Sequence, residues 1–279
     1  MKVIRSSKEI KTNKFSKPFA FVPTMGNLHQ GHLSLVEYAK ENYSESIASI
    51  FINPLQFGKN EDLSNYPKTL SEDIRLLENS GCDYLFIPEA NFAENLEEIE
   101  PRFADVLCGV SRPKHFQGVL MIIDKFLRLI KPDACLFGLK DYQQQLIIRD
   151  YVKQKQIKTD IISLPIIREK SGLAMSSRNN YLSEEDRKYC GKIFSCLQDL
   201  AKSSETSPID SLKIPAIDYL IRAGFKIDYL EFVDANDLSP ITKKTKKLLI
   251  AVAVKYKKVR LIDNIVVSLK KSHLNASSG

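Results

Sequence analysis

The sequence has no apolar run able to cross a bilayer. Its longest, Leu248 to Val254, falls far short of the ~20 residues a spanning helix needs, which leaves no membrane partner. It has no apolar signal core: Met1-Lys2-Val3-Ile4 passes straight into a polar, basic stretch, and a cytoplasmic chain is expected. It has no CxxC pair. Five cysteines, Cys82, Cys108, Cys135, Cys190 and Cys196, are an odd number without paired spacing, so all are read as reduced; Cys82 and Cys135 open apolar runs where a small buried thiol fits. The absence of GxxxxGK[ST] excludes a P-loop, and the absence of GxGxxG a dinucleotide fold. No internal repeat or low-complexity segment interrupts the chain.

What remains is an ordinary globular composition, 43% hydrophobic and 27% charged over 279 residues, enough for one large domain or a large and a small one. The net charge of +7 would fit a nucleic-acid binder if it were spread over the chain. It is not. Residues 242–271 hold ten Lys or Arg against the single acid Asp263, so the rest of the chain is slightly acidic. Lys255-Tyr256-Lys257-Lys258-Val259-Arg260 partly alternates charge with apolar residues, which suits the wet face of a sheet better than a nucleic-acid surface.

Through the first 165 residues, strand-like and helix-like stretches alternate. The runs at 19–23, 46–52, 83–87, 134–137 and 160–164 are short and apolar enough to be strands buried on both faces. Between them, Thr69-Leu70-Ser71-Glu72 reads as a capping box, Leu70, Ile74 and Leu77 keep one apolar face, and Gly81 supplies the stop. Residues 119–130 and 141–152 carry similar helical spacing. Such repetition predicts an α/β fold with a Rossmann-like, doubly wound parallel sheet. After residue 166 the pattern changes. A helix-rich stretch at 184–225 leads to strand-like runs at 226–233, 247–254 and 260–267, which predict a second, smaller α+β domain with an antiparallel sheet. The domains are accordingly drawn as 1–166 and 167–279.

Ligands of parallel α/β sheets bind at the carboxyl ends of the strands, and the unusual residues of this chain gather there. The first of these strand ends runs into Met25-Gly26-Asn27-Leu28-His29-Gln30-Gly31-His32. Histidines three apart at a helix start lie close together, Gly31 lets a ligand reach the backbone, and the helix N-terminus offers free N–H groups to phosphate. An imidazole donor there can stabilise charge on a phosphoryl group being displaced. Ordinary helix-start histidines are the bland alternative. Zinc is disfavoured, because the fourth histidine is at 273 and no carboxylate is suitably spaced. Lys140, between Gly138-Leu139 and Asp141, is a surface lysine or a phosphate clamp with a carboxylate for ribose or metal. Arg168, and then Met175-Ser176-Ser177-Arg178, follow the fifth run, and their hydroxyls and guanidinium suit a leaving pyrophosphate. Asn53 and Gln56 suit a hydroxy acid, or else form a capped turn begun by Asn-Pro.

HxGH on the first strand–helix turn, with a basic Ser-containing loop after the last strand, resembles the nucleotidyltransferases related to class I aminoacyl-tRNA synthetases. The match sharpens over the segments 23–32 and 52–58, Asn60-Glu61-Asp62, Tyr66-Pro67-Lys68-Thr69-Leu70, His115-Phe116-Gln117-Gly118-Val119, Lys140-Asp141-Tyr142-Gln143-Gln144 and Leu173 to Asn179. In order and spacing these resemble the pantothenate synthetase (pantoate–β-alanine ligase) family, from about residue 19 to 267. The resemblance implies that pantoate attacks the α-phosphorus of ATP with Mg²⁺ present, giving pantoyl adenylate and pyrophosphate, and that β-alanine then takes the acyl group, releasing pantothenate and AMP. It implies that Met25 to His32 line the ATP site, with His32 and His29 catalytic. Gly138, Leu139, Lys140 and Asp141 hold ATP, with Lys140 on the phosphates and Asp141 on ribose. Ile167 offers a backbone contact to adenine, and Met175, Ser176, Ser177 and Arg178 bind nucleotide and pyrophosphate. Gln56 meets pantoate and β-alanine, and Gln144 pantoate; no resident metal ligand is implied. A homodimer is implied too, with the small domain covering the site. The chain departs from the family at Leu139, often polar there, and at Gln117, often Arg.

Two other readings stay open at this point. A nucleotidyltransferase that stops after nucleotide transfer would need to hold a phosphorylated acceptor, for which Asn53, Gln56 and Gln144 offer no charge. A nucleic-acid binder would rest on the C-terminal lysines alone.

Overall fold

The computed structural model describes residues 1–58 and 61–269. Asn60 of the family segment, Lys270 and Lys271 of the basic stretch and His273 lie outside the described residues. The chain divides into two compact units, one built from residues 1–105 and 112–167, the other from 106–111 and the chain from Arg168 onward.

The first unit runs β1 (Lys2–Ile4), α1 (Ser7–Thr12), β2 (Phe19–Thr24), α2 (Gln30–Asn42), β3 (Glu45–Ile50), α3 (Leu70–Asn79) and β4 (Tyr84–Phe86). After the excursion of α4 (Cys108–Ser111) into the second unit, it resumes with α5 (His115–Ile130), β5 (Ala134–Gly138), α6 (Tyr142–Gln154) and β6 (Asp160–Leu164). All six strands pair in parallel, in the order β1-β4-β3-β2-β5-β6. Alternate residues of β2 show why both faces are covered. Ala20 and Val22 pack with Leu33, Val36 and Ala39 of α2, whereas the ring of Phe21 meets Phe126 of α5 at 5.2 Å. A side-chain period of two thus demands a helix on each face, and the α/β fold is Rossmann-like and doubly wound, as the patterning predicts.

Two local expectations change. β1 is an additional edge strand, in register with β4 from Lys2↔Tyr84 to Ile4↔Phe86; three residues are too few to show a period. The capping box at Thr69 does not form: its hydroxyl donates to Asp73 Oδ2 at 3.1 Å and caps no backbone N–H. Gly81 does close α3, in the left-handed region at φ +73°.

The second unit contains α4, α7 (Glu184–Cys190), α8 (Lys192–Ser203), α9 (Lys213–Arg222) and the antiparallel sheet β7 (Lys226–Asp234), β8 (Lys247–Tyr256) and β9 (Val259–Ser268), in the order β7-β8-β9. Leu248, Ile250, Val252 and Val254 of the central strand share a core with Ile193, Leu197 and Leu200 of α8 and Leu220 of α9. The wet-face reading of 255–260 holds for exposed Lys255 only. Lys257 and Lys258 form the turn of the β8–β9 hairpin, closed by the Tyr256↔Val259 pair, and Lys257 pairs with Asp186. All five cysteines are buried, and none of them is in a disulfide. No helix among the described residues is long and apolar enough to cross a membrane.

Candidate active site

In the first unit the sheet order reverses direction between β2 and β5, and a parallel sheet opens a crevice beyond the strand ends at such a switch point. Both strands end there in the segments singled out by the sequence.

After β2 the chain turns through Gly26 at φ +80° and Asn27 at φ +49°. A Cβ on Gly26 would lie 3.0 Å from Asp73 Oδ2 and 3.2 Å from Ile50, so both the conformation and the space call for glycine. The turn is stitched to α3 by buried Asp73. Its carboxylate accepts the backbone N–H of Asn27 at 3.0 Å and of Leu28 at 2.8 Å, along with the Thr69 hydroxyl. Asp73 went unnoticed in the sequence. The available signal was an acid on the apolar helix face shared by Leu70, Ile74 and Leu77.

The turn delivers the two histidines to the start of α2, where they cap the helix reciprocally. His29 Nδ1 accepts from the N–H of Gly31 at 3.1 Å, and His32 Nδ1 accepts from the N–H of His29 at 3.4 Å. Their ring centroids are 4.1 Å apart. A ring nitrogen that accepts carries no proton, so each neutral imidazole bears its hydrogen on Nε2. No protein acceptor among the described residues takes either Nε2 proton. Desolvation, then the ammonium of Lys140, pushes His29 down to about 4. Desolvation, the neighbouring His29 and Lys140 hold His32 well below the ordinary 6.5. Both rings are therefore neutral donors near pH 7, beside a helix N-terminus that favours anions.

Gly138 ends β5, and a short 3₁₀ turn, Leu139–Asp141, leads into α6. Lys140 Nζ lies 3.0 Å from Asp141 Oδ2. Desolvation raises the Asp141 carboxyl, but the charge and hydrogen bond of Lys140, with His115 and Arg112, together keep the group below its ordinary value. Lys140 and Asp141 act in opposite senses on both histidines, so the β2 and β5 loops share one electrostatic site. Among the described residues, no group of three or more His, Cys, Asp or Glu is set to hold a metal ion.

After β3, a 3₁₀ turn at Pro54–Gln56 presents the next candidates. Asn53 is 2% exposed, and the protein takes both N–H groups of its amide. Oδ1 accepts from Leu55 N–H at 3.1 Å, while Nδ2 donates to Gly118 O at 3.0 Å and to Gln56 Oε1 at 3.1 Å. Asn53 thus forms the capped turn, with one lone pair of Oδ1 left over for a hydroxy acid. Its bond to Gln56 Oε1 fixes that amide so that the NH₂ end faces away from Asn53, as a donor. Gln144, on the first turn of α6, is partly buried. Ile167 is the last residue of the first unit. Gln117 reaches Glu100 at 3.1 Å on the exposed side of α5.

The remaining candidates belong to the second unit. Arg168 and Ala174 bridge a tight hairpin, turned by Gly172 at φ +90°. Arg168 forks onto Asp263 at 2.6 and 2.9 Å, donates to Gly172 O, and lies 3.5 Å over the Phe194 ring. It is a structural residue, although the sequence reading placed it beside the loop chemistry. The hairpin feeds Met175 and then the 3₁₀ turn Ser177–Tyr181, which Ser176 caps by accepting from Arg178 N–H at 3.3 Å. Buried Asn179 anchors this turn through Glu169 and Ala174 O.

The sequence matches the family model of pantoate-beta-alanine ligase over residues 1–266. It is 44% identical over 257 residues to a pantothenate synthetase of Shewanella amazonensis, covering 89% of this chain and 91% of that protein. It is 43% identical over 273 residues to that of Fervidobacterium nodosum, covering 95% and 96%. A crystal structure of pantoate-beta-alanine ligase (pantothenate synthetase) from Thermus thermophilus superposes with a TM-score of 0.89 at 34% identity, over 95% of this chain and 99% of that one. A pantoate-beta-alanine ligase from Francisella tularensis, complexed with β-γ ATP and β-alanine, superposes with a TM-score of 0.80 at 34% identity, over 95% and 97%. With a family model matched along nearly its whole length and relatives this similar along both chains, the protein belongs to the pantoate–β-alanine ligase family.

Proposed function

We infer that the chain condenses pantoate with β-alanine at the expense of ATP, through a pantoyl adenylate, releasing AMP and pyrophosphate to give pantothenate. One observation in the molecule carries the reading: two neutral, mutually capped histidines at a helix start, beside Lys140 and Asp141, at the switch point of a parallel sheet. Adenylation builds charge on the α-phosphate and on the departing pyrophosphate. Neutral Nε2–H donors, the positive end of the α2 dipole and the Lys140 ammonium are suited to stabilise it.

In step one the pantoate carboxylate attacks the α-phosphorus and pyrophosphate leaves. In step two the β-alanine amine attacks the acyl carbon, a proton is lost and AMP leaves. We assign His29, His32 and Lys140 to the phosphates, the backbone of Met25–Leu28, Gln30 and Gly31 to the nucleotide, Gly138 and Leu139 to the same loop site, and Asp141 to ribose. Ile167 takes the adenine edge. Gln56 meets pantoate and β-alanine through its oriented NH₂, and Gln144 meets pantoate. Met175, Ser176, Ser177 and Arg178 serve nucleotide and pyrophosphate. Asn53 acts by aiming Gln56. Nucleotide and acid binding thus fall chiefly to residues 1–166, and the Met175–Arg178 turn to 167–279. Because no described cluster is set to cage a cation, Mg²⁺ is read as entering on the phosphates of ATP. The family resemblance supports a cytoplasmic homodimer.

Product analysis with ATP, pantoate and β-alanine tests the reading, and equimolar AMP and pantothenate are expected. Pyrophosphate exchange that requires pantoate supports the ligase; exchange supported only by a nucleoside monophosphate would point to simple nucleotidyl transfer.

A further inference from the structure

The family segment His115-Phe116-Gln117-Gly118-Val119 supplies none of the groups assigned above, yet two of its residues converge on the turn that carries Gln56. His115 is 8% exposed at the start of α5. Its Nδ1 lies 2.8 Å from the backbone oxygen of Gln56 and its Nε2 2.8 Å from Arg112 NH1. A guanidinium only donates, so Nε2 is the accepting nitrogen. The ring proton then sits on Nδ1 and is given to Gln56 O. Arg112 is held in turn by a forked pair to Glu61, at 2.6 and 2.7 Å. Three residues later, Gly118 admits the same turn at close range: a Cβ there would stand 2.2 Å from Leu55 O. Its own carbonyl takes the amide of Asn53.

Resting on the assignment of Gln56 to the acid substrates, we propose that Glu61, Arg112 and His115 form a positioning relay that sets the Gln56 turn for the carboxylate substrates. The relay fixes the Gln56 backbone through the His115 ring, while Asn53 fixes the orientation of its side chain. Gln56 is therefore held at both ends before any substrate arrives. His115 takes no proton from substrate, because both of its nitrogens are committed within the protein. Burial, then Arg112, pushes the ring down to about 4, so the accepting nitrogen stays open to Arg112 throughout the neutral range. Glu61 supplies the charge that lets a cation lie against a buried imidazole.

Steady-state kinetics on the whole enzyme test the relay, varying ATP, pantoate and β-alanine separately. His115→Leu removes the bond to Gln56 O and should raise KM for pantoate and β-alanine about tenfold, with KM for ATP within twofold. His115→Asn, whose amide can reproduce the Nδ1 donor, should recover most of the loss. A purely structural histidine would move all three constants together, or none, and would not discriminate Asn from Leu. If His115→Leu folds poorly, Glu61→Ala, at a partly exposed position, should give a smaller shift in the same two constants. Gln56→Ala serves as the reference. Should it raise KM for the acids while the His115 and Glu61 variants leave them unchanged, the relay alone is overturned. Should Gln56→Ala itself leave them unchanged, the assignment of Gln56 falls and the relay with it.

Discussion

The carboxylate of Asp73 accepts the backbone N–H of Leu28 at 2.8 Å, joining residues 45 positions apart in the chain. With Asn27 bound to the other oxygen, a buried acid on α3 holds the loop that presents His29 and His32. Asp73→Ala would strand two backbone donors at a cost of about 1–3 kcal/mol each. The expected outcome is a fall in Tm together with an ATP KM at least about tenfold higher. Asp73→Asn keeps one accepting oxygen and should do less harm. Calorimetry and ATP-dependent rates check both, and an ATP KM unchanged in Asp73→Ala would refute the loop-anchor role.

Removing a phosphate-facing group should separate chemistry from binding. His32→Ala and Lys140→Ala are each expected to lower pantoate-dependent pyrophosphate exchange about 10²–10³-fold, while the Kd for ATP changes far less. Equal losses in both measurements would mean that these side chains only shape the pocket.

His29 and His115 titrate near 4 in the folded chain against 6.5 when unfolded. Between those values the unfolded state binds more protons, so stability rises with pH across the window and is fully present above 6.5. For buried His115 the difference is on the order of 3 kcal/mol. Urea denaturation at pH 7, 5.5 and 4.5 should show this decline, with a shallower slope in His115→Asn. The rate should also lack an inflection from either ring between pH 6 and 8.

Arg168 and Asp263 are paired deep in the second unit, with Asp263 4% exposed. Asp263→Ala leaves a guanidinium buried without its partner, which costs about 3–5 kcal/mol. Because Arg168 pins the hairpin leading to Met175–Arg178, ATP and pyrophosphate affinity should weaken as well. A variant with wild-type Tm and nucleotide affinity would disprove both parts.

The sheet was legible where the code is local. Short runs such as Phe19–Pro23 are apolar on both faces because the strand is covered on both, and Gly81 marks a helix end because it takes a positive φ. Thr69 misled because a hydroxyl near a helix start can cap the backbone or serve a neighbouring acid, and only the fold brings Asp73 into the loop that makes the second choice better. Asn53 carried the same ambiguity. Its type fits a ligand contact or a turn, and only the closeness of Gly118 O shows that it makes the turn.

The sequence by itself determined the alternation of strands and helices, the spacing of HxGH at a helix start and the residue types offered to a phosphate. Each of these depends on the nearest few residues. Tertiary structure alone decided that the His115 proton sits on Nδ1 against Gln56 O, that Lys140 and Asp141 act on His29 and His32, and that Asp73 and Arg112 support the loops from behind. Those outcomes depend on burial and on donors brought together from distant positions, which the order of residues along the chain does not express.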